Sequence, residues 1–262
     1  MSQHLFEGPP PQEIKLTRAP LARVIGQVRF PPNLALAQPE EISDFQKTIR
    51  RAYPVLSRME MPDVSISATG ELKVTPATVW KFSDAQNQWD VAVSTTFVAL
   101  ETRSYVDRSD FMARFTTVLE AADAAFSPQV ATRVGLRYIN RITGPTLDKL
   151  SILVRPEMQG MTSLPLGGMV KLTMTESQLE LLDGSGKLAL RHGLMPAHST
   201  YDPGSLEPLP TPSWVLDIDA SKESSMTFDP TALSELSRQF ADWSYRLFRW
   251  VVTDQFLQEH GA

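Results

Sequence analysis

The residues best equipped for chemistry are arginines and carboxylates set two apart along apolar segments. In Arg23-Val-Ile-Gly-Gln-Val-Arg-Phe30, the side chains of Arg23, Gln27 and Arg29 alternate with Val24, Val28 and Phe30. Arg133, Arg137 and Arg141 alternate likewise with Val134, Leu136 and Tyr138. Two further segments carry acids: Glu101 lies within Phe97–Arg103, and Asp217 and Asp219 lie within Trp214–Asp219. Side chains two apart on a strand share a face, so each segment presents its charges in a row. Rows of guanidinium groups can grip carboxylates or phosphates bidentately. The competing reading is a solvated sheet face with cross-strand ion pairs, worth about a few tenths to 1 kcal/mol each.

Other chemistries find less support. Glu101, Asp217, Asp219 and Lys222 suggest a metal-dependent hydrolase or nuclease, because carboxylates two apart point the same way and magnesium takes oxygen ligands. The step from Asp219 to Lys222 does not match the carboxylate–x–Lys spacing of such enzymes, however. His192, in Leu190-Arg-His-Gly193, is the histidine most enclosed by apolar sequence, whereas His198 falls in a proline-rich stretch and His4 and His260 lie near the ends. Neither a Gly-x-Ser-x-Gly elbow nor a His-x-x-x-His pair accompanies them, so His192 reads as structural. Pro165-Leu-Gly-Gly168 and Asp183-Gly-Ser-Gly186 lack the lysine and the strand-to-helix setting of a phosphate loop, and both read as turns. No catalytic residue, metal site or cofactor is assigned.

Composition narrows the class. The 262 residues include 42% hydrophobic residues, enough for a substantial core, and carry a formal charge of -5. That balance disfavours a sequence-independent grip on nucleic-acid backbone. Cysteine is absent, which excludes disulfides, thiolate nucleophiles and Cys-ligated metal. No apolar run approaches membrane-spanning length, and no basic-then-apolar leader opens the chain. A cytoplasmic protein without membrane contact is expected.

The elements that must hold these charges follow from periodicity. Residues 1–20, with four prolines between residues 8 and 20, suggest an extended arm. A strand over residues 23–30 precedes a helix that starts near Pro39, favoured by Glu40 and Glu41 in its first turn and by an Ile42, Phe45, Ile49 and Tyr53 stripe. Strands over 64–68 and 71–82 flank a Thr69-Gly70 turn, and Trp89–Arg103 divides into two strands near Ser94–Thr96. Asp107 caps a second helix reaching Phe126. The second half reads alike: a strand over 132–142, weak helical signal at Leu147–Leu153, a hairpin of 170–176 with 178–183, a strand over 187–194, a long loop over 196–213, a strand over 214–220 and a helix over 229–257. The order strand, helix, four strands, helix thus occurs twice, in residues 21–128 and 129–262. The expected fold is α+β: two pseudo-repeats in one body, an extended and mostly antiparallel sheet, and helices on one face.

That order resembles the TATA-binding-protein-like duplicated fold, which implies a saddle with helices on its convex side. The segments Pro20-Leu21, Val24, Gln27–Phe30, Ala99–Thr102 and Arg133-x-Gly-Leu-Arg-Tyr-Ile-Asn140 also resemble a patchily distributed bacterial family of uncharacterised proteins. The resemblance covers nearly the whole chain, and Gly-Leu-Arg-Tyr-Ile-Asn is its most specific run. It implies a bacterial protein without an assigned activity, and its patchy distribution implies an accessory, antitoxin or antiphage-defence role. The combined expectation is a non-enzymatic interaction protein with a protein partner rather than nucleic acid. Its binding surface would be the helix-free sheet face, with Arg23, Arg29, Arg133, Arg137, Arg141, Glu101, Asp217 and Asp219 exposed there. Removing Arg133 and Arg137 should then leave the melting temperature nearly unchanged.

Overall fold

The computed structural model describes residues 5–66, 72–166, 168–181 and 184–262. The expected Thr69-Gly70 turn and His4 lie outside the described residues, as do Gly167 and Asp183 of the two glycine-bearing turns.

Among the described residues nine strands form one sheet: β1 (Leu21–Arg29), β2 (Val55–Ile66), β3 (Leu72–Ser83), β4 (Trp89–Ser94), β5 (Phe97–Thr102), β6 (Val130–Thr143), β7 (Thr175–Glu180), β8 (Lys187–Met195) and β9 (Ser213–Thr227). Their order across the sheet is β2-β3-β4-β5-β1-β6-β9-β8-β7. The β2–β3, β3–β4, β4–β5, β7–β8 and β8–β9 ladders are antiparallel. The helices are α1 (Pro39–Ile49), α2 (Arg108–Phe126), α3 (Leu150–Leu153), α4 (Pro230–Val251) and α5 (Asp254–Glu259). An α+β class with a nine-stranded antiparallel sheet agrees with the sequence reading. By contacts the chain divides into two compact units. The first comprises Met1–Val24, Leu136–Lys222 and Arg238–Ala262; the second comprises Ile25–Gly135 and Glu223–Ser237. No helix among the described residues is long and apolar enough to cross a membrane.

In the second unit, local rules account for most boundaries. Pro39 occupies the first turn of α1 with Glu40 and Glu41 beside it. Ile42, Phe45 and Ile49 are buried as their spacing requires. Phe45 stacks on Phe126, with centroids 5.1 Å apart, and meets Phe82 edge-on at 5.6 Å. The Asp107 carboxylate accepts from the Asp110 N–H at 2.9 Å and starts α2, and Ser127 ends that helix in the left-handed region at φ 45°. Between β4 and β5, Ser94 Oγ accepts from the Thr96 N–H at 3.1 Å, fixing the turn expected there. Gly26 lies under α2, where an added Cβ would come within 3.1 Å of the Phe115 ring.

The first unit departs more from expectation. Residues 5–20 carry no helix or strand, and they are tied down: the Ile14 N–H donates to Tyr245 Oη at 2.8 Å, Tyr245 Oη donates to the Gln12 carbonyl at 3.1 Å, and the Arg18 N–H donates to the His260 carbonyl at 3.0 Å. The hairpin expected within residues 170–183 is not formed. Thr175–Glu180 is one strand, and it pairs with β8 from Thr175↔His192 to Glu180↔Lys187. Its turn lies instead at the glycines that follow, where the Leu181 N–H bonds to the Gly186 carbonyl at 3.0 Å. Among the described residues, three strands therefore follow α3 where four were expected. The last helix is also not continuous: it breaks at Val252–Thr253, and Thr253 caps α5 by accepting from the Phe256 N–H at 3.2 Å. Val252 is drawn aside into a bridge with Val154.

Gly193 marks a close backbone approach on β8. A Cβ there would fall 2.0 Å from the Thr173 carbonyl oxygen, which neither backbone segment can accommodate without moving. Gly193→Ala is expected to lower unfolding free energy by about 2 kcal/mol in urea titration. A neutral substitution would show that the 173 segment is not held against β8.

Candidate functional site

Arg137 is the centre of the densest polar network among the described residues. It leaves β6 on the same face as Arg141, two pleats along the strand. Its Nε donates to Asp217 Oδ1 at 2.8 Å and its Nη2 to Asp217 Oδ2 at 2.8 Å, a bidentate fork. Nη1 reaches Asp202 Oδ2 at 2.7 Å and Ser205 Oγ at 3.1 Å, and Nη2 also lies 3.5 Å from Tyr201 Oη. Asp217 Oδ2 accepts as well from Tyr201 Oη at 2.9 Å and from Arg191 Nη1 at 3.3 Å. Arg191 faces Asp217 directly in the β8–β9 register and extends the network to Glu176 at 3.1 Å.

The network lies beneath the proline-rich loop, not on an open face. The Asp217 side chain is 0% exposed and that of Arg137 16%. Beside them the loop residue Leu206 packs into a buried apolar cluster with Ile139, Met195 and Val215, and Tyr201 packs against it. The loop is itself shaped by Asp202, whose Oδ1 accepts from the Ser205 N–H at 3.2 Å and whose carbonyl accepts from the Leu206 N–H at 2.8 Å. The His198 N–H bonds to the Leu209 carbonyl at 2.6 Å and closes its base. The expectation that these charges lie on an uncovered face is therefore corrected for Arg23, Arg137 and Asp217. Helices are not the only means of covering a sheet, and here residues 196–212 cover it with apolar side chains and backbone.

Burial sets the electrostatics. Burial alone would lower the Arg137 pKa, but its bonds to Asp217 and Asp202 outweigh that and raise it. Burial and the Asp217 charge both push the Tyr201 phenol up. For Asp202, burial opposes ionisation, while Arg137 and Ser205 hold its carboxyl below the usual range. The arrangement is that of a structural ion pair: the N–H groups of Arg137 and both Asp217 oxygens are engaged by neighbours within the chain.

The remaining expected residues divide between the units. In the first unit, Arg23 Nη1 donates to the Gly204 carbonyl at 3.2 Å, and Arg141 donates from Nε to Ser213 Oγ at 3.1 Å and from Nη1 to the Glu207 carbonyl at 2.6 Å. Three of the five arginines thus hold the loop. Asp219 shares the β9 face of Asp217, opposite Ala189. In the second unit, Arg29 is exposed and bonds to Gln27 Oε1 at 3.1 Å. Arg133 lies 3.9 Å from Glu223, and Glu101 lies 4.0 Å from Arg103. That unit has its own buried acid, Asp90, 1% exposed, held by Ser83 at 2.5 Å, Lys81 at 2.9 Å and Arg103 at 3.1 Å. Its carboxyl is kept low by these partners against the cost of burial. His192 is buried, with its ring 6.1 Å from that of Trp214. Burial pushes its pKa down, against a bond to the Met158 backbone. Asp90, Arg191, Tyr201 and Asp202 were not singled out in the sequence. Arg191 had a signal, since it occupies the charged phase of a strand adjoining that of Asp217.

Among the described residues no group of three or more His, Asp or Glu side chains is placed to hold a metal. No family model matches the chain, and no curated protein matches it significantly.

Two predictions follow from burial. Arg137→Ala should cost about 3 kcal/mol, the lower end for a broken buried pair because Arg191 still faces Asp217. Equilibrium urea unfolding measures this; a loss near zero would mean the pair is solvated. Acid should act in two stages. His192, depressed from 6.5, contributes stability that is lost as pH falls below that value. Asp202 and Asp90, depressed from 3.8, contribute stability present above that value and lost as pH falls through their folded pKa values. Asp202→Asn should flatten only the second stage, and an unchanged acid limb would contradict its pairing with Arg137.

Proposed function

We propose that this chain is a non-enzymatic binding protein that engages a protein partner through exposed apolar side chains of residues 152–174. The carrying observation is the exposure of Ile152, Met161, Leu164, Met169, Leu172 and Met174, between 37% and 75%, within one stretch of chain. Large apolar side chains left in water along one stretch of chain are suited to burial against a partner. Burying what each still exposes would contribute about 1 kcal/mol before the costs of binding. Methionine, which supplies three of the six, adapts its unbranched thioether chain to varied partner surfaces.

The charged-face reading is retained in narrower form. Its charged candidates for partner contact are, unit by unit, Arg29, Arg133 and Glu101 in the second and Asp219 in the first. The hydrolase or nuclease alternative has no observation in its favour, since guanidinium and phenol groups occupy the Asp217 oxygens. Internal duplication, with helices on one face as in the TATA-binding-protein-like fold, remains our reading of the architecture. The strand order supports it: outward from β1 run β5, β4, β3 and β2, and outward from β6 run β9, β8 and β7. An accessory, antitoxin or antiphage-defence setting rests on the bacterial family resemblance alone.

The test compares affinity-purified wild-type protein with a Met161→Ser, Met169→Ser, Leu172→Ser variant. We expect one protein to co-purify near stoichiometry with the wild type and to be lost from the variant, while the melting temperature stays within about 2 °C because exposed positions contribute little stability. Equal capture by both proteins would overturn the assignment of this surface, and manganese-dependent hydrolysis lost in Asp219→Asn would overturn the class.

A further inference from the structure

Arg141 differs in its partners from Arg137 and Asp90. Arg137 and Asp90 each face an opposite charge, whereas Arg141 is half-buried with a serine hydroxyl and a backbone carbonyl as its hydrogen-bond partners. Burial accordingly lowers its pKa, opposed by Tyr201 rather than by a carboxylate. A guanidinium cannot shed its proton at any ordinary pH, so its desolvation is left partly uncompensated within the chain.

Arg141 is also among the residues that line a concavity of about 430 Å³, together with Arg18, Thr143, Thr146, Glu259 and His260. That volume is within the range of small-molecule sites. Two arginines and one carboxylate face it, and the carboxylate is already neutralised: Lys149 Nζ contacts both Glu259 oxygens, at 2.9 and 3.0 Å. The concavity is therefore net positive in a chain of net charge -5. Neither the Thr143 nor the Thr146 hydroxyl has a hydrogen-bond partner among the described residues, and Thr143 makes no side-chain cap to the short helical turn it precedes. The walls are fixed from two sides, by the Arg141 N–H bond to the Pro20 carbonyl at 2.7 Å and by the Arg18 guanidinium bond to the Glu259 carbonyl at 2.7 Å.

We propose that this concavity binds a small molecule bearing a carboxylate or phosphate group, with its oxyanion on the Arg141 guanidinium, Arg18 as second cation, and the Thr143 and Thr146 hydroxyls as donors. An oxyanion supplies the counter-charge that Arg141 lacks and the acceptors that the two hydroxyls lack. The proposal is independent of the protein-partner surface at residues 152–174.

Isothermal titration of the full chain at constant ionic strength tests it, with inorganic phosphate, glycerol 2-phosphate and succinate as separate probes and chloride as the reference. Saturable binding of at least one probe is expected; phosphate-only or succinate-only binding identifies the chemical source. Arg141→Gln should weaken that binding at least about tenfold, as loss of a charge-assisted bond implies. Arg18→Gln should weaken it by a smaller factor, and the exposed Arg29→Gln should not change it. If Arg141→Gln does not fold, the Thr143→Val, Thr146→Val variant takes its place and should also weaken binding. No saturable binding to the wild type, or equal binding by the folded pocket variants, overturns the proposal.

Discussion

A carboxylate with no exposed surface must be matched inside the protein, because the desolvation of an unpaired ion costs far more than a domain's margin of stability. Asp217 is in that position, and Arg137 matches it with a two-point fork. Arg137 then brings its remaining N–H groups to Asp202 and Ser205, so the pair carries the proline-rich loop with it. Leu206 enters the apolar cluster beside the ion pair because the loop is held there. Excluding water from the pair and pinning the loop are thus one event, since each makes the other possible. Prolines in the loop reduce what is lost on ordering it.

The same constraint separates structural charges from surface ones. Asp90 shows the rule at work in the second unit, where Ser83, Lys81 and Arg103 surround it. Arg141 departs from it, having neutral partners. That contrast distinguishes Arg141 from Arg137 within the first unit. It gives the first unit two kinds of surface with different demands: an apolar stretch of chain that leaves methionine and leucine in water, and a positive concavity that leaves a guanidinium short of a counter-charge.

Much of the architecture was legible in the sequence because local rules decide it. Pro39, Asp107 and Asp229 mark helix starts through cap and macrodipole chemistry, and the Ile42–Phe45–Ile49 stripe fixes the buried face of α1. The hairpin error at residues 170–183 has a local cause too. The Thr-Glu-Ser-Gln-Leu-Glu strand carries almost no apolar signal of its own, so its pairing comes from β8 and from the glycine turn after it. The site was half-legible. Alternation placed Arg137 and Asp217 on charged phases correctly, yet it says nothing of what lies over a sheet face. Whether Asp217 is solvated depends on where a loop with no periodicity folds back, and that is a tertiary fact. The exposure of Met161, Met169 and Leu172 was hidden for the same reason: an apolar residue in an aperiodic segment has no pattern from which to read its facing.

Hydrogen exchange of the loop amides tests the central claim most directly, because it reads the latch without requiring a ligand. The Ser205 and Leu206 amides bond to Asp202, and the His198 amide bonds to the Leu209 carbonyl. In a paired Arg137→Met, Asp217→Leu variant, which removes both members of the fork and leaves the partly exposed Asp202 with Ser205 as its partner, these amides should lose protection while those of the β3–β4 and β4–β5 ladders keep theirs. Unchanged protection of the loop amides in that variant would contradict the account, because the loop would then be held by its own turn and apolar contacts and not by the buried ion pair.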